Sequence, residues 1–534
     1  MVVNMVEFEI RERDLLARIG KLKTKSGTIE TPAFLPVINP VKELVTPLEL
    51  WENFNCRVLI TNAYIVKKHF GEEAKRKGIH KILKYPGVIM TDSGAYQILV
   101  YGSLDVTNRE IIRYQEEIST DIATILDLPT GWNVSMEYAR YTVEETLRRA
   151  RELEDARARA DIIWVGPIQG GRYIDLVAFS AKEMGKLPFD IHALGSPTPV
   201  MEQYLFDILV DMIATAKMNS PLERPFHLFG AGHPMMFSLA VALGCDLFDS
   251  AAYSLFAREN RYLTDYGTIR LEDIKYFPCS CPVCMKYSPT DLMEMPGDRR
   301  ERELSKHNLY VCFAEIKRVK QAIVEGRLWE YLEMKAHSHP SLLKALRRLQ
   351  KYSEYIERNS PFVKRKGLFF FGPIDFIRPE VLRHNKRLKE RYSPPDRSKV
   401  LILVPDSELK DTRRRKYVKK IVLKASKVLG LDLNAIHVCF YSPPFGIIPI
   451  ELSETYPLYQ YEYAYPPDAE TVKYVAERIL EYIAAAPYVK IIILMEKGSW
   501  SERLVDLVVK ESHEREIEAE ILPLDAHSLK LKKN

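Results

Sequence analysis

The feature that most constrains how this chain folds is a series of short apolar runs separated by charged stretches of helical period. The runs cover residues 33–37, 57–61, 88–92, 122–127, 162–165, 191–194, 226–229 and 247–249. Runs of this length suit strands buried on both faces, and the intervening segments, such as 143–159 and 199–216, suit helices. Eight such runs in alternation with helices argue for an α/β fold, a TIM-like (β/α)8 barrel. An open doubly wound sheet is the alternative.

A barrel of this kind presents its chemistry at the C-terminal ends of its strands. Asp92 ends the third run, Asp127 the fourth and Asp249 the eighth; Gln169 follows the fifth, Gly195-Ser196 the sixth and Gly230-Ala231-Gly232 the seventh. A single acid in such a place reads as a loop cap, whereas this many polar or glycine-rich ends on one rim read as a site. The sequence holds no His-Glu-x-x-His, no phosphate-cradling Gly-x-x-x-x-Gly-Lys-Ser/Thr and no serine nucleophile elbow. Carboxylates remain as the reactive groups, and a facing pair can attack a glycosidic carbon and move the leaving group's proton. Tyr96 and Phe229 could sandwich a flat heterocycle or merely pack the rim, and Asp127 with Gln169 could read its edge.

Cys279, Cys281 and Cys284 fall within six residues, and His307 is the one histidine between His233 and His337. Together they make a candidate Cys3His site; the alternative is a set of unligated thiols. A full ligand set leaves no open position for water, so one zinc per chain is expected in a structural role. Cys56, Cys245, Cys312 and Cys439 are scattered in apolar contexts, which suits a reducing cytoplasm and not a disulfide framework. No apolar stretch reaches membrane-spanning length. With 77 Lys+Arg against 72 Asp+Glu the net charge is only +5, so any nucleic-acid binding must come from local patches.

Thr-Asp-Ser-Gly-Ala-Tyr-Gln (91–97), Leu-Asp-Leu-Pro-Thr (126–130), Gly-Pro-Ile-Gln-Gly-Gly (166–171), His-Leu-Phe-Gly-Ala-Gly-His-Pro (227–234) and Gly-Cys-Asp-Leu-Phe-Asp-Ser-Ala-Ala-Tyr (244–253), with the Cys3His set, resemble tRNA-guanine transglycosylases. The wording is closest to the archaeal branch. The resemblance covers residues 8–360 and continues more weakly from Phe-Gly-Pro-Ile-Asp-Phe-Ile-Arg-Pro-Glu (371–380). It implies a zinc-containing barrel enzyme that replaces guanine 15 of the tRNA D-arm by 7-cyano-7-deazaguanine on the way to archaeosine. By motif, Asp249 is then the nucleophile at the ribose C1′ and Asp92 the general acid/base. Asp127, Gln169 and Gly195-Ser196 read the base edge, and Tyr96 with Phe229 stack on it. A homodimer is expected, with the zinc segment near its interface.

The expected organisation is a catalytic barrel over 1–360 with the zinc segment at about 275–310, then accessory α/β regions over 361–430 and 431–534. In the latter, 400–404 and 489–495 read as strands, 416–429, 472–485 and 501–511 as helices, and 442–467 as a Pro- and Tyr-rich loop. The tyrosines from Tyr456 to Tyr465 either stack on RNA or plug a core. The tail after Glu520 leaves no room for the RNA-gripping PUA domain common in the archaeal branch, so a separate PUA-domain protein or basic patches should hold the tRNA. Those patches are Lys364-Arg365-Lys366, the run Arg383, Lys386, Arg387, Lys389 and Arg391, and Arg413-Arg414-Arg415-Lys416 with Lys419-Lys420. Each is otherwise a solvated face. Three other readings stay open: a paralogue acting on the base already inserted, whose Pro-Cys-x-x-x-Lys-Pro-Tyr motif is absent; a non-catalytic tRNA-binding subunit; and an unrelated barrel hydrolase using a catalytic zinc.

Overall fold

The computed structural model describes residues 7–95, 105–406, 412–430, 432–486, 488–514 and 517–523. The chain divides into two compact units, Met1–Ser360 and Pro361–Asn534.

The first unit begins with a three-stranded antiparallel sheet, β1 (Phe8–Asp14), β2 (Ala17–Lys23) and β3 (Thr28–Glu30). Eight strands then close a barrel: β4 (Ala33–Ile38), β5 (Val58–Asn62), β6 (Val88–Asp92), β7 (Ile122–Thr124), β8 (Ile163–Ile168), β9 (Ile191–Leu194), β10 (Phe226–Leu228) and β11 (Leu247–Ser250). Neighbours pair in sequence order, and β11 returns parallel to β4 through Leu247 opposite Ala33 and Asp249 opposite Leu35. Every apolar run of the sequence supplies one of these strands, and the barrel, not the open sheet, is the outcome. Helices such as Ala63–Lys77, Met136–Ala156 and Phe206–Asn219 lie between them. Local signals start these elements: Thr46 and Glu49 form a reciprocal capping box with Pro47 in the first turn, and Thr107 with Glu110 does the same for Asn108–Glu117.

Side chains along a strand alternate between the barrel lumen and the helix layer. Val58, Ile60, Val88, Met90, Ile122, Ile163, Val165, Ile191, Ala193 and Leu247 form one apolar cluster inside the barrel. Leu22 and Ile29 of the N-terminal sheet join it, so that sheet stoppers the barrel at the N-terminal ends of its strands. Its register is pinned from outside the lumen. Arg18 of β2 donates to both Asp246 carboxylate oxygens at 3.0 and 2.7 Å, and Asp246 also accepts from the Phe226 amide at 2.8 Å.

After the barrel come a hairpin, β12 (Arg261–Leu263) with β13 (Thr268–Arg270), and the long helix Gly297–Glu325, which packs on helix Ala252–Arg258 and on β4. Shorter helices, Leu328–Ala336, Pro340–Arg348 and Ser353–Asn359, complete the unit.

In the second unit, β14 (Leu368–Phe370) pairs with β18 (Tyr461–Tyr463). A five-stranded sheet runs in the order β17 (Gly446–Pro449), β16 (Ile436–Ser442), β15 (Val400–Pro405), β19 (Lys490–Met495), β20 (Glu518–Pro523), parallel except for β17. Segments on both sides of residue 430 thus contribute to one sheet. Tyr461 and Tyr463 are buried in its core, which decides those two tyrosines as packing. No helix among the described residues is long and apolar enough to cross a membrane.

Replacing Asp246 by Ala strands the buried Arg18 guanidinium without its counter-charge. The expected loss is about 3–5 kcal/mol of folding stability, read by chemical denaturation of the full chain.

Candidate active site and metal centre

The lumen alternation carries directly into the site. Continuing each inward series one step past the apolar layer gives Asn62 after Ile60, Asp92 after Met90, Gly195 after Ala193, Phe229 after His227 and Asp249 after Leu247. The polar rim is therefore the upper edge of the barrel core, and its groups are partly shielded from water by their own strands.

Asp92 Oδ2 accepts from Asn62 Nδ2 at 3.1 Å and from the Gly94 amide at 3.2 Å. Asn62 is itself held, because its Oδ1 caps helix Ala63–Lys77 through the Ile65 amide. Burial, and then the neighbouring Asp127 and Asp249 charges, push the Asp92 carboxyl up to about 7. Asp127 is 6 % exposed, and burial pushes it up to about 6 against the opposing hydrogen bond from Gln169.

Gln169 is the hub of the next cluster. Its Nε2 donates to Asp127 Oδ2 at 2.6 Å, while its Oε1 accepts from the Thr130 amide at 2.9 Å and from Ser196 Oγ at 3.0 Å. Ser196 sits at φ +60°, a left-handed conformation costly for a serine and common where geometry serves a site. Gly195 allows this arrangement, since a Cβ there would lie 2.3 Å from Gln169 Nε2.

Asp249 is 9 % exposed at the end of β11. Its Oδ1 accepts from His227 Nε2 at 2.8 Å and from the Gly230 amide at 3.1 Å. Phe229 lies beside it, with its ring 4.6 Å from that of His227. Asp92, Asp127, Gln169, Gly195, Ser196, Phe229 and Asp249 thus share one barrel mouth; Tyr96 lies outside the described residues. Sequence reasoning missed His227 and Asn62. Both sit at inward positions of their strands, and a polar residue at such a position was the available signal.

The four candidate metal ligands also come together. One ligand atom from each of Cys279, Cys281, Cys284 and His307 lies within 4.8 Å of all the others. Cys281 and Cys284 Sγ are 3.6 Å apart, and each lies 3.4 or 3.3 Å from His307 Nδ1. A tetrahedral ion with metal–sulfur bonds of about 2.3 Å demands ligand separations of about 3.5–3.8 Å, so the set fits such an ion. The histidine is oriented from behind. Its Nε2 faces the Leu263 carbonyl at 2.9 Å, which leaves Nδ1 for the metal, and Tyr262 stacks on its ring at 3.6 Å. The adjacent Asn308 takes the Leu263 amide at 2.9 Å and donates to the Tyr253 carbonyl at 3.0 Å. Tyr253 in turn bonds the Val37 carbonyl of β4 at 3.1 Å. The centre thus ties the chain that leaves Asp249 back onto the barrel.

A family model described as queuine tRNA-ribosyltransferase matches residues 14–341, spanning the barrel, the rim and the metal ligands. The chain belongs to the queuine tRNA-ribosyltransferase family. A second model, a domain of unknown function (DUF5591), matches residues 381–531. Relatives within the family carry the name tRNA-guanine(15) transglycosylase. One from Saccharolobus solfataricus is 44 % identical over 91 % of this chain and 96 % of its own length. Another from Sulfolobus acidocaldarius is 42 % identical over 91 % and 95 %. A third from Methanocaldococcus jannaschii is 46 % identical over 85 % of this chain and 68 % of the relative.

Two outcomes follow for these sites. Gly195→Ala should displace the Gln169 amide from its three partners and raise KM for the free base at least tenfold, with a smaller change in kcat, read by steady-state kinetics. Chelation at neutral pH should expose the 261–310 segment to amide hydrogen exchange while barrel strands such as β8 stay protected.

Proposed function

We propose that this chain exchanges guanine at position 15 of tRNA for 7-cyano-7-deazaguanine, through a covalent Asp249–ribosyl intermediate, in the route to archaeosine. The observation that carries the reading is the meeting of two differently prepared carboxyls in one mouth: Asp249, with one oxygen held by His227 and Gly230, and Asp92, raised to about 7. The relatives' name supports guanine 15 as the site.

In the proposed cycle a carboxylate oxygen of Asp249 attacks C1′ as the C1′–N9 bond breaks, its electron pair leaving with guanine. The Asp92 proton goes to the departing base. The incoming base then gives its N9 proton to Asp92, and N9 attacks C1′ to displace the Asp249 carboxylate. Atoms and protons balance over the cycle, with no external oxidant or reductant. Asp127, Gln169 and Ser196 read the base edge, and Phe229 packs on its face; Tyr96, the second stacking residue that the motif implies, lies outside the described residues. The Cys3His set would hold one zinc ion in a structural role, and the active oligomer is read as a homodimer with the metal segment near its interface.

The target base must leave its stack to enter the mouth, at a cost of a few kcal/mol that backbone contacts offset. Of the basic patches, Lys364 is buried against Glu380 at 3.0 Å, and the side chains of Arg413 to Lys416 lie outside the described ones. Arg383, Arg387 and Arg391 line a cavity of about 290 Å³ with Phe362, Tyr392 and Tyr456. Arg387 and Arg391 are exposed there, which suits RNA phosphates, whether or not a separate PUA-domain protein adds a second grip.

Incorporation of labelled guanine into unmodified archaeal tRNA, compared with tRNA lacking guanine 15, tests the reading directly. Incorporation that survives loss of guanine 15 would overturn the site. Asp249→Asn should bind tRNA and lose exchange by about a thousandfold or more. Because Asp92 must be protonated to donate, the single-turnover rate of intermediate formation should fall as pH rises through about 7, and Asp92→Asn should lack that limb. Arg387→Glu with Arg391→Glu should weaken tRNA binding about tenfold and reduce its salt slope by about two, leaving kcat at saturating tRNA unchanged.

A further inference from the structure

We propose that His227 is a positioning residue for Asp249, donating Nε2–H to Oδ1 so that Oδ2 is the oxygen presented to the ribose. The proposal rests on Asp249 being the nucleophile and goes beyond it by naming what aims that carboxylate.

His227 lies on β10 opposite Ala193 of β9 and Leu247 of β11, both members of the apolar lumen cluster. It is 0 % exposed. An imidazole in an apolar layer is costly to bury unless its polar atoms are satisfied. Here a single partner satisfies only one of them: Nε2 lies 2.8 Å from Asp249 Oδ1, while Nδ1 has no hydrogen-bond partner among the described residues. A carboxylate acceptor requires the ring proton on Nε2, and an Nδ1 proton would have nothing to meet. The Phe229 ring, 4.6 Å away, closes one side of the imidazole.

The Gly230 amide adds a second donor to the same oxygen at 3.1 Å, made possible by φ +68° at that glycine. Oδ1 therefore carries both donors, and no protein donor to Oδ2 is present among the described residues. When Oδ2 bonds to C1′, Oδ1 becomes the ester carbonyl oxygen, which accepts the same two hydrogen bonds. When the second base displaces the ester, the carboxylate returns to the same cradle. Neither half-reaction requires the carboxyl to turn. The acid whose charge couples to Asp249 is Asp92, and it repels rather than orients it.

The test compares His227→Gln with His227→Met in the full chain. The two side chains are nearly isosteric, and only glutamine can offer an N–H toward Oδ1. Folding is checked by thermal denaturation, and kcat and KM are measured by guanine exchange into tRNA. The expected result is a 10- to 100-fold lower kcat for Met with little change in KM for tRNA. Glutamine should recover most of the lost kcat. Equal kcat for folded Met and Gln variants would overturn the positioning role, as would a loss in both that merely follows the folded fraction. Asp249→Asn run alongside separates the two levels: an active Asn variant refutes the nucleophile, whereas an inactive one with a normal Met variant refutes only the role of His227.

Discussion

The register of the parallel barrel strands is the constraint on which the rest of this structure depends. Because side chains alternate with period two, the strands that place Met90, Ala193 and Leu247 in the lumen necessarily place Asp92, Gly195 and Asp249 above them. One residue of slippage in β11 would send Asp249 into the helix layer and bring its neighbours into the mouth. The ladder between β11 and β4 that closes the barrel is therefore also what aims the carboxylate.

The same geometry sets the electrostatics. A rim that is the top of an apolar core withdraws its acids from water, so the Asp92 and Asp127 carboxyls are pushed up toward neutrality while Asp249 is supplied with donors. The metal centre works at one remove from this chemistry. It sits beside a small apolar cluster of its own segment, built on Tyr262, Leu271, Val283 and Leu292, and through His307, Asn308 and Tyr253 it fixes the chain that follows β11. The stopper sheet does the equivalent at the other end of the barrel, where Leu22 and Ile29 fill the lumen.

Much of this architecture was legible in the chain. The eight runs became the eight strands because fully buried strands are apolar throughout and bounded by polar ends, a signal that survives without tertiary information. The metal ligands were legible because three of them are local in sequence. The N-terminal sheet was not, since β1 alternates charged and apolar residues in a stretch that reads as a mixed surface segment. The edge strand β17 was hidden in a loop rich in proline, and β18 among tyrosines that equally suited an RNA surface. Among the rim residues, His227 and Asn62 escaped notice because each is an ordinary polar residue until its strand is given an inside and an outside.

The sequence by itself determined which residues are apolar, which end each run, and which four can share a metal, because these follow from local composition and spacing. Only the tertiary structure decided which of them meet. It brought His227 under Asp249 across 22 positions, Asn62 beside Asp92 across 30 and Arg18 onto Asp246 across 228. It also turned Lys364 inward onto Glu380, away from solvent. Contacts of that range are set by strand order, register and barrel closure, which depend on the whole chain burying one core and on no single segment of it.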